Sequence, residues 1–509
     1  MIFSSYSFLF FFLPAFLVMF FVVRSVGTPQ AITVLVIAAS LLFYALGDSA
    51  SIPYLLTSIA GTYIIGYVIS TTNSAGRRNA LMVAGLAVAI LPLVISKYFS
   101  PFAAAFNIRA NDWVMPLAMS FLVFQQVIFL VEMARGNRIC PVPLDYLAAI
   151  LFFPKLISGP LTSVVDLAAH FQRGNCFRSS AQDIAVGTTY FCIGLFKKVM
   201  IADQLRPGVD AVFFGLGTAD GMPFLDAWIG LLTFFIVLYF DFSGYSDMAI
   251  GLARICGITL PANFNSPLKA TSLIEFWARW HMTLMKFLSG YVYNPIALWR
   301  MRAAMAASSG KARLFVETAV FPCFITMLVS GFWHGGGWNF IIFGLLHGAG
   351  LSVNQAWRQL KLPQLPRVVA WGVTFLFVLV SLVLFRTTDP AEALTFVHSL
   401  AGLSELRLPS QFAQLVARVG LPAVAAPAGK DFAFFTSGMG GVLATLACLA
   451  WALILPNSQQ VIGEAKGPAW TRRFRWTPNS GWAVTTALLA VVSVAMLSSE
   501  YQSFIYFGF

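Results

Sequence analysis

Apolar runs of about 18–22 residues recur from end to end of the chain, and each is long enough to cross about 30 Å of hydrocarbon as a helix. Only 10% of the 509 residues are charged, against about 25% in soluble domains, so most of the surface must face lipid. We therefore predict an all-α integral membrane protein that forms a single domain over residues 1–509. Its twelve predicted spans are 3–23, 30–46, 52–70, 80–97, 113–133, 183–202, 223–252, 314–333, 338–356, 367–386, 436–456 and 481–498.

Three segments between or beside these runs do not have the pattern of a span. Residues 145–158 are apolar but too short to cross, and they end in Lys-Leu-Ile-Ser-Gly-Pro, so we predict a re-entrant segment buried among other helices. Residues 256–313 include an aromatic, charged stretch, 272–288, whose apolar residues recur at helical spacing, which predicts an interfacial or partly buried helix. Residues 387–435, rich in Pro, Ala, Ser and Leu, are predicted to form an exterior loop.

The net charge of +12 comes from basic residues in short loops, which indicates control of topology rather than binding to nucleic acid. With the twelve spans in place, 22 of the 32 Lys and Arg residues fall on one side and seven on the other. The basic side is predicted to be cytoplasmic. Residues 71–79 and 256–313 are then inside, whereas both termini and 387–435 are outside. The six cysteines show no CxxC and no metal-ligand spacing, so we predict no metal site.

His334 is the leading candidate for chemistry, because ionisable groups within the membrane are costly and mark functional sites. It lies in Ser-Gly-Phe-Trp-His-Gly-Gly-Gly-Trp-Asn, between two apolar runs. The three glycines disfavour a regular helix and let backbone approach a ligand closely. An imidazole in such a break could be a general base near neutral pH. A histidine that only hydrogen-bonds a broken helix end is the alternative, and the pattern leaves both open.

Two further histidines are weaker candidates. His347 lies thirteen residues further on, in Phe-Gly-Leu-Leu-His-Gly; it could face the same cavity as His334, although a structural hydrogen bond explains it as well. His281 follows Arg279-Trp, with Glu275 six residues before it, and salt-bridge packing of an interfacial helix is its alternative. We predict that His347 matters less than His334, because it lacks the glycine-rich break.

A polar cluster, defined here as Asp241, Ser243, Tyr245, Ser246 and Asp247, follows the apolar run 223–240. On a helix, Ser243 shares a face with Ser246 and Asp247, and Asp241 with Tyr245. The cluster would either bind substrate or orient a histidine, or it would join neighbouring helices through hydrogen bonds. Both interpretations remain open at this stage.

Several motifs, in order over nearly the whole chain, resemble the membrane-bound O-acyltransferase family, specifically its bacterial exopolysaccharide branch with alginate- and cellulose-acetylating members. They are Phe3-Ser-Ser, Phe153-Pro-Lys-Leu-Ile-Ser-Gly-Pro, Gly194-Leu-Phe-Lys-Lys-Val-Met-Ile-Ala-Asp, Tyr239-Phe-Asp-Phe-Ser-Gly-Tyr-Ser-Asp-Met-Ala-Ile-Gly, Asn263-Phe-Asn-Ser-Pro, Glu275-Phe-Trp-Ala-Arg-Trp-His, Trp333-His-Gly and Phe504-Ile-Tyr-Phe-Gly-Phe. One departure is that Leu288-Ser-Gly-Tyr-Val-Tyr-Asn-Pro lacks the Arg, Asp and paired Gly usual in alginate-type members, which weakens the case for alginate as the polymer.

The resemblance implies a ring of helices around a central funnel, with His334 in the position of the family's central histidine. It implies an acetyl group taken from a cytoplasmic donor, acetyl-CoA, with no bound cofactor, and delivered across a bacterial inner membrane to an exopolysaccharide. In related systems a periplasmic SGNH-like partner completes the transfer. His281 and His347 would be further catalytic candidates, and the polar cluster, Trp333, Lys197 and Lys198 would contribute to substrate binding.

Two other functions are compatible with such a chain. One is a family member that acylates a lipid, a protein or another envelope acceptor. The other is a transporter without covalent chemistry, whose halves would show repeat symmetry; we find no internal repeat, which disfavours it.

Overall fold

The fold is described from a computed structural model, which describes residues 1–105, 116–136, 139–172, 177–214, 222–308, 310–402 and 439–497. Helices account for most of these residues, and no strand occurs among them. In the first part of the chain they are α1 (Phe8–Val26), α2 (Pro29–Asp48), α3 (Ile52–Thr71), α4 (Ala75–Ala105), α5 (Met119–Arg135), α6 (Pro143–Leu151), α7 (Phe153–Leu156), α8 (Val164–Gln172) and α9 (Ala181–Phe196).

The second part contains more short helices than the first. They are α10 (Asp203–Phe214), α11 (Phe224–Ile255), α12 (Leu273–Trp277), α13 (Met282–Leu288), α14 (Asn294–Ala306), α15 (Lys311–Phe315), α16 (Phe321–His334), α17 (Trp338–Gln359), α18 (Arg367–Ser381), α19 (Val383–Arg386), α20 (Pro390–Leu400), α21 (Met439–Ile454), α22 (Ser458–Ile462) and α23 (Ser480–Ala495). Single π-helical turns link some of them: Lys197–Ala202 joins α9 to α10, and Val316–Val320 joins α15 to α16.

Contacts divide the chain into two compact units whose segments interleave along the sequence. The first unit comprises Met1–Phe196, Ser243–Asn263 and Trp476–Phe504, and the second Lys197–Phe242, Phe264–Arg475 and Ile505–Phe509. The single domain expected over 1–509 therefore remains a prediction.

Eight helical segments in the described part of the chain are long and apolar enough to cross a membrane. They are Phe8–Val26, Pro29–Asp48, Ile52–Thr71, Ala75–Phe99, Ala181–Phe213, Phe224–Ile255, Lys311–His334 and Arg367–Arg386. Helices also lie in the described parts of the other four predicted spans. Of these, α5, α21 and α23 have 17 residues or fewer, and α17 is more polar than the eight segments above. The all-α integral membrane fold class is thus confirmed.

The predicted re-entrant segment forms the short helices α6 and α7 and lies in the core of the first unit. Residues 148–161 are all buried. Lys155 within them donates to Oε1 of Gln125 at 2.6 Å, which satisfies a buried ammonium group that would otherwise be costly. Burial agrees with the prediction, because irregular backbone at membrane depth must be shielded from lipid.

Helices α9 and α11 come unusually close within the first unit, and glycines make the approach feasible. A Cβ at Gly187 would lie 2.6 Å from the carbonyl oxygen of Gly251, and one at Gly194 would lie 2.5 Å from that of Gly244. Small residues at such crossings let the two backbones pack directly against each other. The second half of α11 is therefore held in a fixed position against α9.

Two predictions about the second unit are wrong in detail. The stretch 272–288 is not one helix, because α12 and α13 are separated by a break at His281, whose φ of +43° is left-handed. The region after residue 386 is not all loop, since it contains α20, which is capped at its start by Asp389, whose carboxylate accepts from the backbone N–H groups of Ala391 and Glu392. Asp-Pro at a helix start is a capping signal that the composition of the region obscured. Residues 403–435 of the predicted loop lie outside the described residues.

Candidate active site

His334 is the last residue of α16 and is buried, with 5% of its surface exposed. Its imidazole contacts two aromatic rings edge to face, with centroids 4.8 Å from Phe385 and 4.7 Å from Trp333. The helix ends where the glycine-rich sequence predicted a break. Gly335 is extended there, and a Cβ on it would collide with the ring of Phe340 in α17. The imidazole is thereby held in an apolar setting at the end of a helix.

A small cavity of about 20 Å³ adjoins His334. His347 also lines it, so the structure brings these two histidines to one cavity. A volume of this size accommodates roughly one water-sized group. The remaining lining is almost entirely aromatic and aliphatic: Phe235, Leu238, Phe276, Trp277, Trp280, Phe343, Val378, Ser381, Leu382 and Phe385.

Both ring nitrogens of His347 are engaged by side chains. The indole N–H of Trp277 donates to Nδ1 at 3.2 Å. Because indole nitrogen can only donate, Nδ1 carries no proton and the neutral ring is protonated at Nε2. That N–H donates to Oγ of Ser381 at 2.9 Å, and the Ser381 hydroxyl donates in turn to the carbonyl of Val378. The geometry favours a positioning role for His347 over proton transfer.

His281 is fully enclosed, with 1% of its surface exposed. Its ring lies edge to face on Phe242 at 4.7 Å and is 6.3 Å from Trp333. Trp333 therefore contacts His334 and lies close to His281 as well. Glu275 pairs with Arg279 at 2.6 Å, so the salt bridge of this segment is formed without His281. The left-handed backbone of a non-glycine residue is strained, and such strain is concentrated at functional sites.

We expect His281 to make the stability of the protein sensitive to mild acid. Burial lowers the pKa of His281 from 6.5 to about 3. Below pH 6.5 the unfolded chain binds a proton that the folded chain excludes, so stability present above that pH is lost as the pH falls towards 3. The thermal midpoint in detergent should fall more steeply between pH 6.5 and 5 for the wild type than for His281→Gln. Equal slopes would contradict the assignment.

Lys198 lies in the π-helical turn that joins α9 to α10, and it forms a buried ion triad. Its ammonium group is 2.7 Å from Oδ1 of Asp203 and 2.8 Å from Oδ1 of Asp241, and 5% of its side chain is exposed. Lys197, one residue earlier, donates instead to Oγ of Ser458 at 2.6 Å. The two predicted lysines therefore belong to different networks, and a substrate-binding role for either remains a prediction.

The other members of the polar cluster are buried in the first unit. Ser246 accepts from the side-chain amide of Asn263 at 3.1 Å. Tyr245 stacks on Phe3 at 4.8 Å. Ser243 and Asp247 are each 2% exposed. Phe3 and Asn263 both lie outside the helices, so these contacts connect α11 to non-helical segments. The helix-joining and substrate-binding interpretations of the cluster both remain predictions.

Three residues that shape the site were absent from the sequence-based candidates. Trp277 and Ser381 hold His347 from opposite sides, as described above. Asn339, in the first turn of α17, donates from its side-chain amide to the carbonyl oxygen and hydroxyl of Thr387. Two of the three had a signal in the sequence. Asn339 comes directly after the Gly-Gly-Gly-Trp that follows His334, and Trp277 lies within the Glu275-Phe-Trp-Ala-Arg-Trp-His motif. Ser381 had none.

Most of the chain is similar in sequence to known proteins. The family described as MBOAT, membrane-bound O-acyltransferase, matches residues 130–388. A peptidoglycan O-acetyltransferase of Helicobacter pylori is 33% identical over 444 residues, covering 80% of this chain and 81% of its own. A probable alginate O-acetylase of Azotobacter vinelandii is 33% identical over 404 residues, covering 76% of each. A teichoic acid D-alanyltransferase of Bacillus subtilis is 27% identical over 299 residues, covering 57% of this chain and 73% of its own.

Proposed function

This chain belongs to the membrane-bound O-acyltransferase family, and from that premise we propose that it takes an acetyl group from acetyl-CoA and passes it across the membrane for O-acetylation of a cell-envelope polysaccharide. It is a multi-pass membrane enzyme of the acyltransferase class, which decides against the transporter interpretation. The donor, the acceptor and the direction of transfer are the proposed elements.

The observation that carries the proposal is His334, buried beside a small apolar cavity at the end of α16. In the reaction, the imidazole accepts the proton of the attacking hydroxyl as its oxygen bonds to the acyl carbon. The C–S bond of the thioester then breaks, and the proton passes from the imidazole to the departing thiolate. Positioning of such a base contributes about 10²–10⁴-fold, and the apolar walls keep out water that would hydrolyse the thioester.

The names of two relatives support an acetyl group. One is a peptidoglycan O-acetyltransferase and the other a probable alginate O-acetylase. This favours acetyl transfer over the alternative in which the enzyme acylates a lipid or protein with a fatty acid.

The names of the relatives support a polysaccharide acceptor. Peptidoglycan, alginate and teichoic acid appear in them, and all three are polymers of the bacterial envelope. The D-alanyltransferase is named for a different acyl group, and its sequence identity to this chain is lower. We therefore propose an envelope glycan as the acceptor class, with peptidoglycan and alginate as the first polymers to test, and a periplasmic SGNH-like partner for the last step.

Membranes from cells that produce the chain, and from cells that lack it, test the proposal. They are supplied with acetyl-CoA or palmitoyl-CoA, and ester-linked acyl groups on the envelope polysaccharide are released by mild base and identified by mass. We expect acetate from acetyl-CoA, only in membranes that contain the chain. Palmitate esters, or consumption of acetyl-CoA without any ester, would overturn the proposal.

We further propose that the chain lies in the bacterial inner membrane with both termini and residues 387–435 outside. The distribution of basic residues supports this orientation. In a cysteine-free background, Thr388→Cys in intact cells should react with a membrane-impermeant thiol reagent, whereas Ala75→Cys should not; both side chains are exposed. Labelling at position 75 from outside would exclude this topology.

A further inference from the structure

Helix α14 presents an exposed apolar face. Leu298, Met301 and Met305 follow one another at intervals of three and four residues, so they lie on one side of the helix, and they are 50%, 36% and 66% exposed. Trp299, beside Leu298, is 61% exposed. With 13 residues, α14 is too short to span a bilayer, so this face lies either in water or at the surface of the membrane.

The other side of α14 packs within the second unit, against α15, α16 and the π-helical turn between them. Ala304 on that side is 5% exposed. Arg300, one turn earlier, donates from Nε to Oε2 of Glu317 at 2.6 Å, and its guanidinium group lies 5.1 Å from the ring centre of Phe321, the first residue of α16. The apolar face is therefore held outward by contacts with the helix that ends at His334.

The segment around this face is strongly basic. Residues 294–316 contain four Lys or Arg residues and neither Asp nor Glu. Glu317, directly after them, balances part of this charge, because its carboxylate is bonded to Arg300 and lies 3.9 Å from Nε of Arg313. Two of the four positive charges are left without a carboxylate from this part of the chain.

Arg302 and Lys311 carry these two charges. Both side chains are exposed and form no ion pair with any residue that the structure describes. Arg302 follows Leu298 by four residues and therefore lies on the apolar face itself. Arginine and lysine in such a position bury their apolar stems and keep the charged end in a polar layer. An apolar face with basic residues along it is the pattern of a helix that lies in the interface of an anionic membrane.

We propose that α14 lies in the cytoplasmic surface of the membrane, where Arg302 and Lys311 bind the phosphate groups of anionic phospholipids. In the predicted topology residues 256–313 are on the cytoplasmic side, and the anionic headgroups of that leaflet attract basic segments. A soluble anion such as acetyl-CoA would pair with the two basic side chains but leave the apolar face in water, which is unfavourable in proportion to its area. A phospholipid covers both. The inference rests on the proposed topology and is independent of the proposed reaction.

The test uses the purified protein in detergent, to which phosphatidylglycerol, phosphatidylcholine or acetyl-CoA is added. Arg302→Gln with Lys311→Gln removes the two charges, whereas Arg302→Lys with Lys311→Arg keeps them. Arg77→Gln with Arg178→Gln is the matched control, since it removes two exposed charges from the same predicted side of the membrane but outside α14 and α15. The lipids that each protein retains are counted by native mass spectrometry, and the thermal midpoint is followed as each compound is titrated.

We expect the wild type to retain phosphatidylglycerol in preference to phosphatidylcholine, and its midpoint to rise more with the former. Arg302→Gln with Lys311→Gln should lower the apparent affinity for phosphatidylglycerol by about 25-fold, because each basic residue near an anionic surface contributes roughly a fivefold factor. Its affinity for phosphatidylcholine should not change. The charge-preserving pair and the control pair should bind both lipids as the wild type does. If the double variant fails to fold, Arg302→Gln alone is measured, with a loss of about fivefold expected.

Three results would overturn the inference. The first is an unchanged preference for phosphatidylglycerol in the variant that lacks both charges. The second is an equal loss in the control pair, which would make the attraction a property of the overall charge. The third is a loss of the acetyl-CoA response as large as the loss of lipid binding, which would assign the two residues to the donor. A wild-type protein that prefers phosphatidylglycerol but does not respond to acetyl-CoA would instead refute the proposed donor and leave this inference intact.

Discussion

Replacing His334 with alanine is expected to lower acetate ester formation by about 10²–10⁴-fold, the contribution of a positioned general base, while the protein remains folded in the membrane. The reason is the position of the imidazole beside the apolar cavity, where it contacts Phe385 and Trp333. The measurement is ester-linked acetate on the envelope polysaccharide at equal membrane levels of both proteins. Near-normal acetylation would remove His334 from the mechanism.

The matched control for this experiment is His347, which lines the same cavity. Its two ring nitrogens are bonded to Trp277 and Ser381, so His347→Ala should lower the thermal midpoint and reduce activity only in part. His334→Ala should show the opposite pattern, with activity lost and the midpoint retained. If His347→Ala abolished transfer while His334→Ala were mild, the two roles would be reversed.

Replacing Lys198 with methionine is expected to destabilise the protein by about 3–5 kcal/mol, the usual cost of removing one partner from a buried ion pair. The change leaves the carboxylates of Asp203 and Asp241 facing each other, with 13% and 2% of their side chains exposed. The triple variant Lys198→Met, Asp203→Asn, Asp241→Asn removes all three charges and should recover most of the loss. Thermal midpoint and yield in the membrane are the measurements.

Lys197→Met provides the comparison, because Lys197 is half-buried and donates to the neutral hydroxyl of Ser458. Its effect on stability should be small. A Lys198→Met protein with wild-type midpoint and no activity would contradict the structural account of the triad, and would support the substrate-binding role that the sequence suggested. Loss of stability that the triple variant does not recover would also contradict it.

The spans were predictable because each depends on a local property, the length and apolarity of a run, which tertiary contacts cannot change in lipid. The end of α16 at His334 was predictable for a similar reason, since three consecutive glycines disfavour a helix. The break at His281 was not, because the stretch 272–288 has continuous helical spacing and no glycine marks the left-handed residue, whose ring packs on Phe242.

The hydrogen-bond and ion-pair partners of the site residues could not be predicted from the sequence. Lys198 and Asp241 are 43 positions apart and meet only because α9, its π-helical turn and α11 are packed together. The bonds of His347 to Trp277 and Ser381 span 70 and 34 positions. Polar residues at a given spacing indicate that a network exists, but the choice of partner follows from tertiary structure.

The glycine contacts between α9 and α11 have a consequence for biosynthesis. The ribosome completes α11 about 60 residues after α9, and at about 5–20 residues per second that interval is roughly 3–12 s. During it, the groove at Gly187 and Gly194 lacks the α11 backbone that fills it in the folded protein. Lipid tails that enter the groove as α9 leaves the translocon have to be expelled when α11 arrives. Assembly of this helix pair is therefore an exchange of lipid for protein, and membranes whose tails pack tightly into narrow grooves should slow it.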